Sequence, residues 1–450
     1  MTRLAAFALS FMASCAPVSH EAPPSRAAGF AQTLPPMRVF NTSYVAPATR
    51  PNTEIAQDFL DLSFRMESGR SVAKMTRFEG PITVRATGAT NPTMLSDLED
   101  LLERLRTEAS IDIRMVPANE QAAITVEAIP RAVLSAAVPK AACFVVPRLT
   151  SWSEFKIARR TPQVDWTTLT RRDRAAIFVP ADVAPQEARD CLHEELAQAL
   201  GPLNDLYRLP DSVFNDDNIH AVLTGFDMLI LRAFYAPELQ NGMSRGEAAT
   251  RIPAILARLN PAGERYAGAP LNDTSRDWIE AMETALTNGN APAHRRAAAQ
   301  KAIALSTAFG WSGARAGFAQ YAYGRLQVGN DPNAALASFN AAETTYRESN
   351  TTQIHAAHIA VQQAAFALAA GDADRTIALS DRWADVAARH QNAALLATLL
   401  MFKAAALEMR GDLAQAESLR LDSLGWARYG FGSESNVQAR LNEIAALRPY

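Results

Sequence analysis

The 450-residue chain predicts an α+β domain followed by an all-α domain of helical repeats, on three observations. Between about Ile55 and Pro261 the apolar residues switch between helical and strand spacing. Beyond Pro292 the chain becomes Ala-rich with almost no strand signal. There a turn built on Gly with Asp or Asn recurs at intervals of 42 and 40 residues.

The first fifteen residues read as an export signal. Arg3 supplies a positive start, Leu4 to Met12 are apolar apart from Ser10, and Met12-Ala13-Ser14-Cys15 ends in small residues before a cysteine. Spanning a bilayer takes about 20 apolar residues, and this stretch is only nine residues long. The ending resembles the lipobox of bacterial lipoproteins, which implies cleavage before Cys15 and a lipid on its thiol. Residue 16 is Ala, not the aspartate that often retains lipoproteins at the inner membrane, so the outer membrane is the expected location. From Ala16 to Pro51 seven prolines lie among Ala, Ser and Thr without a sustained apolar period. Such a tether, taken as residues 15–54, reaches on the order of 100 Å at ~3 Å per residue.

Composition bounds the rest. With 48% hydrophobic and 20% charged residues the chain can bury more than one core. A formal charge of -3 favours no polyanionic partner, which argues against nucleic acid. Neither a Walker loop nor a dinucleotide fingerprint occurs, so nucleotides have no visible seat. Ala221 to Tyr235 is broken by Asp227 and Arg232, and Asn392 to Met409 by Lys403, so neither is expected to cross a membrane. With Cys15 lipidated, Cys143 and Cys191 are the one intramolecular pair, and an oxidising compartment lets them bond. Two separate buried thiols are the alternative.

Within residues 55–261, strands are expected at Pro81 to Thr87, Ile111 to Val116, Ala123 to Ile129, Ala142 to Val146 and Ala175 to Val179, each rich in Ile, Val or Phe. Leu95, Leu98, Leu101, Leu102 and Leu105 mark a helix after the first strand. A second helix runs from Pro185, where proline costs no hydrogen bond, to Leu200, with Gly201 expected to close it in left-handed backbone. Its apolar stripe of Ala188, Leu192, Leu196, Ala199 and Leu200 leaves Glu194, Glu195 and Gln198 on the other side. The plain reading of that side is a solvated helix face. His193-Glu194 does not open a zinc helix of the usual kind, because the position four residues on is Ala197.

Shifted by one residue, Glu194-Glu195-x-x-Gln198-x-x-Gly201-x-x-Asn204-Asp205 keeps the spacing of the metzincin peptidases with altered ligands. Ser212 to Asp216 falls at the place of their methionine turn, with Phe214 as the methionine, and Leu223 to Tyr235 resembles the helix after it. Together with Cys191 to Gly201, Ser212 to Asp217 and Tyr235-x-Pro237-x-x-x-x-Gly242-Met243-Ser244, this stretch is similar to the bacterial domain of unknown function 2927 over roughly residues 55 to 260. Where that family has Leu-Pro-Asn-Asp, this chain has Gly201-Pro202-Leu203-Asn204-Asp205. The resemblance implies a zincin-like fold more than a reaction; in an active form of it Glu195 would be the general base, and Glu194, Gln198, Asn204 and Asp205 would hold a divalent metal. These ligands offer only oxygen, which suits calcium, magnesium or manganese better than zinc. His193 is expected to be structural.

A linker at residues 262–292 carries one helix at Ser275 to Leu286, and repeats follow over 293–450. Gly329 to Ala335, Gly371 to Thr376 and Gly411 to Ala416 each mark a turn, with Gly as a left-handed cap and Asp or Asn starting the next helix. They look like a tetratricopeptide-type array with a longer period, and such solenoids bind protein segments in a groove. Gly310-Trp311-Ser312-Gly313-Ala314 approximates a hydrolase elbow but lacks the strand that must precede it.

The expected protein is a membrane-tethered envelope lipoprotein that binds or scaffolds a partner through its repeats. No cofactor is expected, a divalent metal ion being the alternative, and catalysis is not expected to survive. A metal-dependent peptidase using Glu195 is the alternative.

Overall fold

The computed structural model describes residues 34–40, 46–269 and 271–449. Cys15 and the segment read as an export signal lie outside the described residues. Two compact units divide the chain, one within residues 46–274 and the other built from 34–40 and 275–449.

The first unit opens with α1 (Asn52–Phe64), whose Ile55, Phe59 and Leu62 share one buried face. Next come β1 (Ile82–Gly88), α2 (Pro92–Glu108), β2 (Ile113–Met115), β3 (Ile124–Ile129) and α3 (Arg131–Ala137). They are followed by β4 (Phe144–Pro147), α4 (Trp152–Ala158), β5 (Ala175–Pro180), α5 (Pro185–Leu200), α6 (Gly225–Phe234) and α7 (Arg245–Leu259). α2 starts where expected because the Asn91 side chain accepts from the Met94 N–H and Pro92 fills its first turn. Met94, rather than Leu95, joins Leu98, Leu101, Leu102 and Leu105 in the core.

The five strands form one mixed sheet in the order β2-β1-β3-β5-β4. β2, β1, β3 and β5 are parallel, and β4 is antiparallel at the edge, with Phe144 opposite Phe178 and Val145 opposite Ile177. Side chains alternate strictly on β5. Ala175, Ile177 and Val179 enter the main core with α1, α2, α5, α6 and α7, while Ala176 and Phe178 enter a second core with α3 and α4. β4 and β5 are buried on both faces, which is why they read as nearly continuous apolar runs.

The second unit is all helix: α8 (Arg276–Leu286), α9 (Pro292–Ala308), α10 (Ala314–Gln327), α11 (Pro332–Arg347) and α12 (Gln353–Ala369), then α13 (Ala373–Arg389), α14 (Ala393–Arg410), α15 (Leu413–Phe431) and α16 (Glu434–Ala445). Each helix packs on the next, and α8 also meets α10, α12 meets α14, and α14 meets α16. Gly371 and Gly411 take φ of 77° and 87°, as the turn pattern requires. The turn at Gly329 differs, since α10 closes in right-handed backbone at Val328. Asp331 and Asp372 cap α11 and α13 with their side chains, whereas Asp412 makes no such bond to α15. Part of the stretch read as a free tether is built in: Leu34 to Phe40 lies against α15, and α1 begins at Asn52. Among the described residues no helix is long and apolar enough to cross a membrane.

Candidate functional site

α5 runs over the expected residues, but its polar side is not a solvated face. Glu195 and Gln198 are 0% exposed and Glu194 is half-buried. Gly201 sits with φ -164° and ψ -84°, which is not left-handed, so the expected reason for a glycine is wrong. The actual one is proximity: a Cβ at 201 would lie 3.0 Å from Cγ of Phe234. The last carbonyls of the helix are taken by the buried Arg172, which donates to the oxygens of Gln198 at 2.7 Å, Ala199 at 2.6 Å and Gly201 at 2.5 Å. Burial pushes this guanidinium down to about 10, so it stays charged at neutral pH against the negative end of the helix dipole.

Cys191 is bonded to Cys143, joining the middle of α5 to the residue before edge strand β4. Oxygens of Glu194 and Glu195 and the sulfur of Cys143 lie within 4.8 Å of one another. In the disulfide that sulfur is no thiolate and cannot serve as a metal ligand. His193 points elsewhere. Its Nδ1 accepts from the Leu223 N–H at 3.1 Å, and burial together with Arg104 and Arg189 holds its pKa well below the usual value. It is a neutral imidazole tying α5 to the approach of α6.

Asp205 faces the exposed end of this acidic side. Burial holds its pKa well above the carboxylate range, and the charges of Glu67, Asp216 and Glu194 add to the effect. Gln198 Nε2 lies 3.5 Å from Glu67 Oε1. Asp190, one turn before Glu194, is pushed up to about 8 by burial, with Arg189 and Gln186 opposing and Glu194 and Asp97 contributing. Crowded carboxyl groups therefore run from Asp97 and Asp190 past Glu194 to Asp205, Asp216 and Glu67.

Asn204 does not join them. Its side chain is buried toward α1 and donates to the Asp61 carbonyl at 3.0 Å, so Asp205 is the residue of this loop that faces Glu194. The N-terminal cap of α6 holds the turn at Ser212 to Asp216. Asp227 accepts from Ser212 Oγ at 2.5 Å, Val213 N at 3.1 Å and Thr224 N at 2.8 Å. Burial raises Asp227 to about 6 despite those three donors. Phe214 is 0% exposed and packs in the main core.

Residues 52–254 match the family described as "Protein of unknown function (DUF2927)". No curated protein and no solved structure matches the chain. The DUF2927 domain so delimited holds the whole sheet, α5, the Ser212 turn and α6.

Two features of this domain escaped the sequence reading. Glu67 follows α1 and lies 131 residues from Gln198, so no local spacing announces it. The loop carrying Asp205 is anchored by buried ion pairs, Arg208 to Asp58 and Asp61 and Arg50 to Asp58 and Asp211. Isolated Asp residues in an apolar helix were the signal: α1 buries both Asp58 and Asp61.

Chemically these side chains present oxygen. Among the described residues, His193 is bonded to the Leu223 N–H and Cys143 to Cys191, so neither supplies a zinc ligand beside Glu194 and Glu195. Among the described residues, the one set of three candidate ligand atoms within 4.8 Å is Cys143, Glu194 and Glu195, and its sulfur is committed. A hard cation is what such carboxylates suit.

Proposed function

We propose that this protein is an exported, lipid-anchored binding scaffold: a zincin-like DUF2927 domain without zinc chemistry, followed by a TPR-like array that recruits a protein partner. One observation carries the non-enzymatic half of this reading. The positions that should grip zinc hold Glu194, Gln198 and Asp205, while the nearby imidazole and both sulfurs serve structure, His193 bonded to Leu223 and Cys143 to Cys191. Removing every soft ligand from a helix that keeps its fold favours retention of architecture over reaction. Consecutive helix pairs that also touch at next-nearest positions support the solenoid, and solenoids present extended surfaces to partners. Export and lipid attachment at Cys15 rest on the signal-like first fifteen residues.

The test uses the full chain. Elemental analysis after purification, followed by titration with calcium, magnesium and zinc, should show no tight zinc and at most a weak, oxygen-type preference for calcium or magnesium. Peptide cleavage should be absent and unchanged by Glu195→Gln. Stoichiometric zinc, with cleavage lost in Glu195→Gln, would replace this reading by the metal-dependent peptidase. Mass spectrometry of the mature N-terminus should find a diacylglyceryl cysteine, absent in Cys15→Ser.

A further inference from the structure

Leu34 to Phe40 belongs to neither helix nor strand, yet it follows α15 over several turns. The Arg38 N–H donates to the Gly425 carbonyl at 3.0 Å, and Arg428 Nη1 donates to the Pro35 carbonyl at 2.7 Å. Phe40 stacks on Trp426 with ring centroids 4.5 Å apart. The Arg38 guanidinium pairs with Asp422 at 2.7 Å and lies 5.8 Å from the centre of the same indole. Gly425 permits this approach, because a Cβ there would come within 2.9 Å of Arg38 Cγ and 3.3 Å of the Pro36 carbonyl. At the other end Leu34 lines a groove of about 360 Å³ between α14, α15 and α16, walled by Met401, Leu424, Leu441 and Ile444.

These contacts have the composition of peptide recognition rather than of a folded core. Backbone bonds fix an extended chain, an aromatic and an arginine supply anchors, and a proline pair pre-orders the segment. The segment also leaves apolar surface uncovered along the same helix, where Leu421 is 47% and Leu413 65% exposed. A groove shaped only for its own strap would have no use for that remainder.

We propose that this face of α15 is a recognition groove for extended, proline-containing segments of a partner protein that carry arginine two residues before an aromatic, and that Leu34–Phe40 occupies it in cis as a competitor. This rests on the reading of the helical unit as a partner-binding array and names the chemistry of the partner. A tethered strap at an effective concentration on the order of 1 mM masks a groove of ~0.1 mM intrinsic affinity about tenfold. Displacement therefore falls to partners with longer segments that also cover Leu421.

A fluorescein-labelled peptide with the sequence of residues 31–42 tests this against the full chain by fluorescence anisotropy. It should bind the Arg38→Ala/Phe40→Ala chain about tenfold more tightly than wild type. Adding Asp422→Arg to that chain should abolish the gain, and a peptide carrying Arg38→Asp should restore it. Quenching or shift of Trp426 emission on titration gives a second readout at the groove itself. If the released chain stays folded by circular dichroism yet binds no better than wild type, the groove proposal falls. Should such a chain still capture a partner through another face of the array, the partner-binding reading stands alone; binding at no face would remove both.

Discussion

Arg208 donates from Nε to Asp58 Oδ1 at 2.9 Å and from Nη2 to Asp61 Oδ2 at 2.8 Å, joining the loop beyond α5 to the first helix of the domain. Side-chain exposure is 7% for the arginine and 0% for Asp58, so no water replaces the lost partner when one is removed. Arg208→Ala should therefore destabilise the domain by about 3–5 kcal/mol, the usual cost of stranding a buried charge. Urea unfolding of the full chain, followed by Trp fluorescence, measures it. A loss below about 1 kcal/mol would show that Arg50 alone satisfies Asp58.

The disulfide between Cys143 and Cys191 closes a loop with a sequence separation of 48. In the chain-entropy account a loop of that length is worth about 4 kcal/mol, with about 2–4 kcal/mol typical of measured cases. Cys143→Ser/Cys191→Ser should lower the unfolding free energy of this domain by an amount in that range. The same shift should appear in wild type under a dithiol reductant. A double variant as stable as wild type would place the stabilising contacts of β4 elsewhere.

At Gly201 the prediction follows from contact rather than backbone conformation. The ring of Phe234 lies where a Cβ would point, at 3.0 to 3.1 Å, and Phe234 is itself buried against Phe59. Gly201→Ala should cost about 1–3 kcal/mol as overpacking. Pairing it with Phe234→Leu should return part of that loss, and additive losses in the double variant would refute a shared steric origin.

Much of the fold was legible because its signals are local. Five short β-branched runs, the proline at 185 and the leucine spacing of α2 each report on their own neighbours, and the strands and helices formed within a few residues of where they were expected. What escaped was non-local. Glu195 and Gln198 are buried although they lie opposite the apolar stripe of α5, and Glu67 and Asp58 arrive from the turn after α1 and from α1 itself. Gly201 shows the same limit in reverse: the residue type was informative, but a ring on α6 rather than a backbone angle explains it. The tether misled because proline-rich composition describes a free chain equally well as one laid on Gly425 and Trp426.

Asp205 provides the sharpest test of the acidic cluster. Its folded-state pKa is raised, first by burial and then by Glu67, Asp216 and Glu194, whereas the unfolded chain titrates near the ordinary aspartate value of about 3.9. The folded state therefore holds a proton that the unfolded state has already released. Linkage then makes this contribution to stability complete below about pH 4 and progressively lost as pH rises toward the folded pKa. Asp205→Asn mimics the protonated side chain without titrating. Its stability should match wild type near pH 4 and exceed it increasingly toward pH 7. Millimolar calcium at pH 7 should raise the wild-type midpoint and narrow the difference, because the ion stabilises the charged form that the asparagine lacks. Parallel stability curves for the two proteins across this range would mean that Asp205 is not crowded by its acidic neighbours, and the cluster would then lose its reason to attract a cation.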